Sequence, residues 1–212
     1  MSKNQRISSD VIYDYVINAI KEGKLKPKDR IKEQDLALET GLSRTPIREA
    51  LGILLNEGIL TQDGKKGLVV SGLDLVSITK LYEMRELLEG EAARLATFFA
   101  SKVEIEILYN IVNSQKKLSD VQSLRANNIL FHETIFRCSN NNYLLKTMQN
   151  LDKSLILLGE STLAKPQRCK EAFNEHFQIV SAIEKKDEKM AMDLAKFHIR
   201  QAYKVRLERI LS

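Results

Sequence analysis

The chain has 212 residues, of which 43% are hydrophobic and 29% charged, so composition favours a soluble globular protein of one large or two modest domains. It contains no apolar run of about 18 residues and no apolar segment near its start, which argues against a membrane span or a secretion signal. Its two cysteines, Cys138 and Cys169, have no metal-binding or redox spacing, and we therefore expect a reducing, cytoplasmic location. The net charge of +5 permits a nucleic-acid partner but does not identify one.

Residues 1–72 contain most of the turn-forming residues and are predicted to form a separate domain. A helix is predicted in SSDVIYDYVINAIK, and a second, short helix in EQDLALET ends at Gly41. A third helix begins in SRTPIRE, with Ser43 as its N-cap and Pro46 in its first turn, where a missing N–H costs little. Two short strands are predicted around the turn DGKKG. This order is that of a winged helix-turn-helix domain.

Residues 73–212 are predicted to form an all-α helical bundle, which makes the fold mainly α. Apolar residues recur there with helical spacing, and the interruptions are short polar segments such as SNNN and KKDE. The predicted helices span roughly 74–100, 102–118, 121–138, 142–163, 167–185 and 188–210.

The start of the third helix has the side chains of a DNA-recognition helix. Arg44 and Arg48 lie one helical turn apart, so both project to the same side, where an arginine can bind guanine or phosphate. The hydroxyl groups of Ser43 and Thr45 can bind phosphates. The predicted wing adds four residues at its tip, namely Gly64, Lys65, Lys66 and Gly67.

A simpler alternative is that these arginines and lysines only hydrate an exposed helix and an exposed turn. Residues 8–70, however, resemble the N-terminal domain of the GntR family of bacterial transcription regulators, above all in SRTPIREAL and GKKGLVV. The resemblance implies that Arg44, Thr45, Arg48 and the wing Gly64–Gly67 contact operator DNA.

Two residues depart from that family pattern. Lys28 stands where a Gly usually follows the Pro, and Gln34 stands where some members have a DNA-contacting Arg.

Because one recognition helix reads few base pairs, a specific site needs two of them. We therefore expect a homodimer, joined through its bundles, on a palindromic operator in double-stranded DNA.

The three histidines of the chain each lie on the apolar face of a different predicted helix. For any one of them, a hydrogen-bonded core histidine is the ordinary interpretation. His176 and His198, however, are equally distant from the turn near residue 187, so an antiparallel hairpin would place them face to face. His132 and Asn128 form an i, i+4 pair on another inward face. Three imidazoles and an oxygen are ligands that a divalent metal takes from a helical bundle.

Residues 74–210 resemble the all-helical effector domain of the FadR-type branch of the same family, and six helices suit its VanR-like subdivision. Metal-binding members have an Asp-x-x-x-His pair followed by two more histidines, and NILFH, EHFQIVSAI and KFHI match these segments in order. The resemblance implies a divalent metal, with zinc favoured over nickel or manganese. Asn128 replaces the carboxylate, which leaves the metal more positive and favours an anionic, carboxylate effector.

Arg85 has two interpretations of equal weight. In the first, it lies in an apolar stripe of the first bundle helix, within an R-x-L-L-E run that matches the effector domain, and points inward to hold the effector's carboxylate. Alternatively it forms an i, i+4 ion pair with Glu89 on the surface.

The sequence thus predicts a DNA-binding transcription regulator, expected to be a repressor, whose operator affinity is controlled by a carboxylate bound at the metal. The alternative is a metal-dependent hydrolase in which three histidines activate water. Against it, Glu133 and Glu175 adjoin the predicted ligands in sequence but point about 100° away from them along their own helices. A closed, purely structural metal site is a third possibility.

Overall fold

The computed structural model describes residues 3–159 and 161–211, with side chains from residue 8 onwards. Contacts divide the chain into two compact units. The first contains the residues up to Asp74 and, in addition, the described part of 152–160; the second contains the rest of the chain from Leu75. The limits 1–72 and 73–212 stay a prediction, and the sequence did not anticipate the return of a later segment to the first unit. Among the described residues, no helix is long and apolar enough to span a membrane.

The first unit is a winged helix-turn-helix. Its elements are α1 (Lys3–Lys21), α2 (Glu33–Thr40), α3 (Arg44–Asn56), β1 (Leu60–Asp63) and β2 (Gly67–Val70). The strands are antiparallel, with Leu60 opposite Val70 and Asp63 opposite Gly67. Apolar side chains from all three helices and both strands form one buried core, which includes Ile12, Val16, Leu36, Ile47, Leu51, Leu54, Leu60 and Val70.

The turn between α2 and α3 fixes the direction of the recognition helix. Gly41 has φ 68° at the end of α2, and its N–H donates to the carbonyl of Ala37. Ser43 occupies the N-cap position of α3 with an extended backbone, but its side chain makes no capping hydrogen bond, so the predicted cap is wrong in that respect. Pro46 lies in the first turn, where a backbone N–H has no helical partner and its absence costs little.

Lys28 has a left-handed backbone, with φ 72°. Its N–H donates to the carbonyl of Val70 at 2.8 Å, and the N–H of Val70 donates to the carbonyl of Asp29 at 3.0 Å. These bonds tie the segment before α2 to β2 and hold the backbone in a conformation that favours glycine. The family's usual Gly at this position therefore has a conformational reason.

The segment that returns to the first unit contributes to its core. Leu157, in the short 3₁₀ turn Ile156–Leu158, is buried among the apolar residues of the winged helix-turn-helix. Lys153 Nζ lies 2.6 Å from Glu57 Oε1, and the Tyr13 hydroxyl donates to Glu57 Oε2 at 2.7 Å. Burial and the neighbouring Glu57 carboxylate raise the pKa of Tyr13, so the phenol remains a donor.

The second unit is an all-α bundle, and six α-helices begin in residues 75–211 as described. They are α4 (Leu75–Phe99), α5 (Lys102–Ser114), α6 (Val121–Cys138), α7 (Asn142–Leu155), α8 (Pro166–Glu184) and α9 (Glu188–Leu211). Two helices are shorter than predicted. The predicted helix 102–118 ends at Ser114 and continues as a 3₁₀ turn, and the predicted helix 142–163 ends at Leu155, four residues before Gly159 with its φ of 73°.

Small residues let α4 and α9 approach closely at the centre of the bundle. Ala92, Ala93 and Ala96 of α4 are fully buried, as is Ala191 of α9. A Cβ at Gly90 would lie 2.8 Å from the side chain of Lys196. α9 packs against both α4 and α8, and α6 packs against α4.

Candidate DNA-binding surface and metal centre

The first turns of α3 present the predicted recognition side chains to the outside. Ser43, Arg44, Thr45 and Arg48 are all exposed, while Ile47, between them, is fully buried in the core. The amphipathic spacing of α3 therefore produces one buried and one polar face. Arg48 Nε lies 3.0 Å from both carboxylate oxygens of Glu33, at the start of α2. The sequence did not identify this partner.

The wing is a tight turn held by Asp63. The Asp63 Oδ1 atom accepts hydrogen bonds from the backbone N–H groups of Lys65, at 3.0 Å, and Lys66, at 3.2 Å. These two donors lower the pKa of Asp63 and keep the carboxylate ionised. Gly67 has φ 80° and closes the turn, which leaves the side chains of Lys65 and Lys66 exposed at the tip. This part of the predicted surface is therefore positioned by backbone contacts.

In the second unit, the three histidines come together inside the bundle. His132 of α6, His176 of α8 and His198 of α9 each offer a ring nitrogen, and these nitrogens all lie within 4.8 Å of one another. His176 Nε2 and His198 Nε2 are 3.3 Å apart, which confirms that the two histidines face each other across the hairpin. The His176 ring also stacks on Phe131, with 4.0 Å between ring centroids.

A buried ion pair supports His132. Glu89 of α4 contacts His132 Nδ1 through Oε2, and its Oε1 accepts from Arg85 Nη2 at 2.6 Å. Side chains of all three residues are largely buried. The predicted Arg85–Glu89 pair exists, but its expected location on the surface is wrong, because this face of α4 packs against α6.

A second buried ion pair supports His198. Glu175 Oε2 lies 2.6 Å from His198 Nδ1, and Arg168 forms two hydrogen bonds of 2.7 Å with the Glu175 carboxylate. Arg168 is among the most buried side chains of the protein. Glu175 does point away from His176, its neighbour on α8, but toward His198 on α9. The expectation that this carboxylate lies away from the ligands is therefore wrong, whereas Glu133 pairs with Arg137 in an exposed i, i+4 bridge.

Burial and neighbouring positive charge set the protonation of this cluster. Desolvation, reinforced by the neighbouring charges, lowers the pKa of His176 and of His198 well below 6.5, so both rings are neutral near pH 7. Burial alone would raise the pKa of Glu89. The neighbouring His132 and Arg85, together with the hydrogen bond from His132, outweigh it and hold that pKa well below its usual range. The carboxylate is therefore an ionised acceptor.

Asn128 lies one turn before His132 on α6 and is half-buried. Within the described part of the chain, no other group makes a hydrogen bond to its side chain. Its neighbour Asn127 has a structural role instead, donating to the carbonyl of Ile111 at 3.0 Å and to the hydroxyl of Ser114 at 2.7 Å. A coordinating role for Asn128 stays a prediction.

The chemistry of the histidine cluster fits a divalent metal. His132 Nε2 is buried and has no hydrogen-bond partner among the described residues. For nitrogens about 2.0–2.1 Å from a tetrahedral metal, the nitrogen–nitrogen separation is about 3.3 Å. The His176–His198 separation equals this value. Each supporting carboxylate contacts Nδ1, and this arrangement leaves Nε2 as the ligand atom, as is common around zinc.

Comparison with known proteins agrees with both units. The model for bacterial regulatory proteins of the gntR family matches residues 8–70, and the FCD domain model matches residues 80–201. The gluconate operon transcriptional repressor of Bacillus subtilis is 33% identical over 172 residues, covering 74% of this chain and 68% of the repressor. The transcriptional regulator YdhC of the same organism is 28% identical, covering 84% of this chain and 82% of its own length.

Solved structures show the same fold. Escherichia coli McbR/YncC has a TM-score of 0.81 at 20% identity, covering 96% of this chain and 98% of its own. The metal-free FCD domain of TM0439 has a TM-score of 0.56 at 15% identity, covering 66% of this chain and 99% of its own. The family and these relatives are transcription regulators rather than enzymes, and the hydrolase alternative has no support. With both domains matched in the expected order, the chain belongs to the GntR family of bacterial transcription regulators that carry an FCD effector domain.

Proposed function

We propose that this regulator binds a palindromic operator as a homodimer, and that a small carboxylate bound at a metal centre in the FCD domain controls its operator affinity. The convergence of three buried histidine nitrogens, one without a hydrogen-bond partner, carries the metal part of this proposal. The exposed basic face of α3 and the wing carry the DNA part. By analogy with relatives named as operon repressors, we expect repression.

On the DNA side, each of the exposed residues has a distinct proposed role. Arg44 and Arg48 are suited to guanine edges or phosphates in the major groove, and Ser43 and Thr45 to phosphates. The wing residues Gly64, Lys65, Lys66 and Gly67 form an exposed basic tip that is suited to the DNA backbone or the minor groove. Two copies are required because a single recognition helix contacts too few base pairs for a specific site.

On the metal side, His132, His176 and His198 would hold a divalent ion, with Asn128 as a weak, neutral fourth ligand. Zinc is favoured, and nickel or manganese are alternatives, because imidazole suits all of these ions to different degrees. The bound ion would supply a positive charge to which a carboxylate can coordinate. The two supporting carboxylates do not remove that charge, because Arg85 neutralises Glu89 and Arg168 neutralises Glu175.

The class of the effector rests on this charge. A buried dication with neutral protein ligands favours an anion, and a small carboxylate has the oxygen atoms to bind it. Two relatives are named as repressors of the gluconate operon, and gluconate is itself a carboxylate. The proposed contact of Arg85 with the effector's far end stays a prediction, and it competes with the ion pair to Glu89.

The proposal is tested by metal content and by operator binding. We expect about one divalent ion per chain by mass spectrometry after mild purification, and less for His132→Ala, His176→Ala and His198→Ala. Gln178→Ala, on the exposed face of α8, is the control. Fluorescence anisotropy with a palindromic operator, with and without metal and a panel of acids that includes gluconate, measures the control of DNA binding. A wild-type protein without metal, whose histidine variants all respond to the acids as it does, would show that the cluster is only packing.

A further inference from the structure

The three histidines of the cluster differ in how their Nδ1 atoms are held. His198 Nδ1 lies 2.6 Å from a Glu175 oxygen, and His132 Nδ1 contacts a Glu89 oxygen. A carboxylate only accepts hydrogen bonds, so each of these Nδ1 atoms must carry the proton. When these rings are neutral, the Nε2 atoms of His132 and His198 carry the lone pairs before any metal binds.

The contact of Arg168 with His198 does not change this assignment. Arg168 Nη2 lies 3.3 Å from His198 Nδ1, but it donates to the Glu175 carboxylate at 2.7 Å. If Nδ1 carried no proton, two lone pairs would face each other across the 2.6 Å contact between His198 and Glu175. The shorter contact therefore decides where the proton lies.

His176 is in the opposite state. Within the described residues no carboxylate oxygen makes a hydrogen bond with it, and its ring is held by stacking on Phe131. Its Nε2 lies 3.3 Å from His198 Nε2, which already bears a lone pair. One of the two nitrogens must donate, so His176 Nε2 carries the proton. In that form His176 cannot ligate a metal through Nε2.

We infer that the Arg85–Glu89 and Arg168–Glu175 pairs preset His132 and His198 as metal ligands, and that His176 alone must change tautomer when a metal binds. The inference rests on the proposed metal function. His176 would lose the proton from Nε2, which would free this lone pair for the metal, and would gain a proton at Nδ1 through solvent. The ring stays neutral, and for three neutral imidazoles the net release of protons is zero. Glu89 and Glu175 are positioning residues, since they act through the histidines.

Histidine nitrogen shifts test the inference directly. The full-length protein, labelled with ¹⁵N and freed of metal with a chelator, should show Nδ1–H for His132 and His198 and Nε2–H for His176. Addition of Zn²⁺ should move the proton of His176 to Nδ1 and leave the other two unchanged. Calorimetry in two buffers with different ionisation enthalpies should find no proton released near neutral pH. An Nε2–H on His132 or His198 in the metal-free protein overturns the inference.

Two variants test the positioning role. Glu89→Gln and Glu175→Gln keep the shape of the side chain but allow an amide N–H to face Nδ1. Each should lower Zn²⁺ affinity by about 10–100-fold. Glu89→Gln should mix the tautomers of His132 only, whereas Glu175→Gln should mix those of His198 and of its hydrogen-bond partner His176. Glu171→Gln is the matched control, because Glu171 is exposed on α8 with an oxygen 3.9 Å from the same Arg168. Its Zn²⁺ affinity should equal that of wild type.

The outcomes separate this inference from the function on which it rests. A wild-type protein that binds no Zn²⁺ overturns both. If the wild-type protein binds Zn²⁺ and the tautomer of His176 does not change, the inference alone is overturned. The same holds if both glutamine variants bind Zn²⁺ with the affinity of wild type. Circular dichroism checks the fold of each variant, and the tautomers of the wild-type protein need no variant at all.

Discussion

Arg48 Nε lies 3.0 Å from both carboxylate oxygens of Glu33, so the guanidinium of the recognition helix is held by the helix before it. Both side chains remain exposed, at 65% and 37%, and an exposed pair of this kind contributes little to stability. We conclude that the bridge orients Arg48 rather than stabilising the fold. The planar guanidinium of Arg48 is suited to two hydrogen bonds with the edge of a guanine.

Arg48→Ala should weaken operator binding by about 1–3 kcal/mol and relax specificity at one base pair of each half-site. Fluorescence anisotropy against a set of single-base operator variants measures both effects. Arg137→Ala removes an equally exposed arginine from an ion pair in the other unit and serves as control. Normal operator affinity and specificity in the Arg48 variant would refute the assignment of α3 as the recognition helix.

Lys65→Ala should behave differently, because a lysine at the wing tip meets phosphates. We expect weaker binding to all sequences alike, and a salt dependence whose slope falls by about 0.9 in log K against log salt. A titration at several salt concentrations, on operator and on unrelated DNA, gives both numbers. A loss confined to the operator would assign Lys65 to base recognition instead.

Lys28→Gly should stabilise the first unit. A left-handed backbone costs a non-glycine residue about 1–2 kcal/mol, and the greater freedom of glycine in the unfolded chain returns about 0.5–1 kcal/mol of this. The expected gain in the free energy of unfolding is therefore about 0.5–1 kcal/mol, measured by urea denaturation. Lys26→Gly, two residues earlier and without a positive φ, should destabilise the protein. A gain from both changes would point to another cause.

Metal-free protein should lose stability as the pH falls from about 7 to about 5. The folded-state pKa values of His176 and His198 lie well below 6.5, so the unfolded chain binds more protons once the pH passes below about 6.5. Each histidine can contribute a slope of about 1.4 kcal/mol per pH unit. Glu89 acts in a separate window, since its lowered pKa matters only below about 4.5. His176→Gln should reduce the dependence of the free energy of unfolding on pH, measured by urea denaturation at several pH values. An unchanged dependence would show that this ring titrates normally.

Asn128→Asp should tighten metal binding and weaken the effector. A carboxylate adds a negative charge beside the ion, and we expect roughly tenfold or more in metal affinity, about 1.4 kcal/mol. The same charge reduces the attraction for an anionic acid. Competition with a chromophoric chelator measures the first effect and calorimetry the second, with the exposed Asn174→Asp as control. Equal metal affinity would show that Asn128 does not reach the ion.

The sequence predicted the elements and the histidine cluster because both follow from periodicity. Equal distances from the turn near residue 187 sufficed to bring His176 and His198 face to face, since α8 ends at Glu184 and α9 begins at Glu188. The resemblance to a known family was confirmed by the family models, whereas the assignment of the recognition helix stays a prediction.

The supporting carboxylates were missed for a physical reason. Helical periodicity predicts the face of α8 on which Glu175 lies. It does not predict that α9 packs against this face and places His198 beside Glu175. Glu89 raised the same difficulty, since an i, i+4 pair with Arg85 reads alike on a surface and in a core. Its position in the R-x-L-L-E run, inside an apolar stripe, was the available signal. The left-handed backbone of Lys28 was likewise indicated only by the glycine that the family usually has at this position.

The apolar run that contains Leu157 gave no hint of which core it would enter. In the structure, Leu157 completes the interior of the first unit, although it lies 87 residues after Val70, the end of that unit's last strand. Recombination that joined residues 1–74 to a foreign effector domain would therefore remove the apolar side chains that the 3₁₀ turn packs against α1. The winged helix-turn-helix is therefore not an interchangeable module, because part of its core comes from the 3₁₀ turn that follows α7.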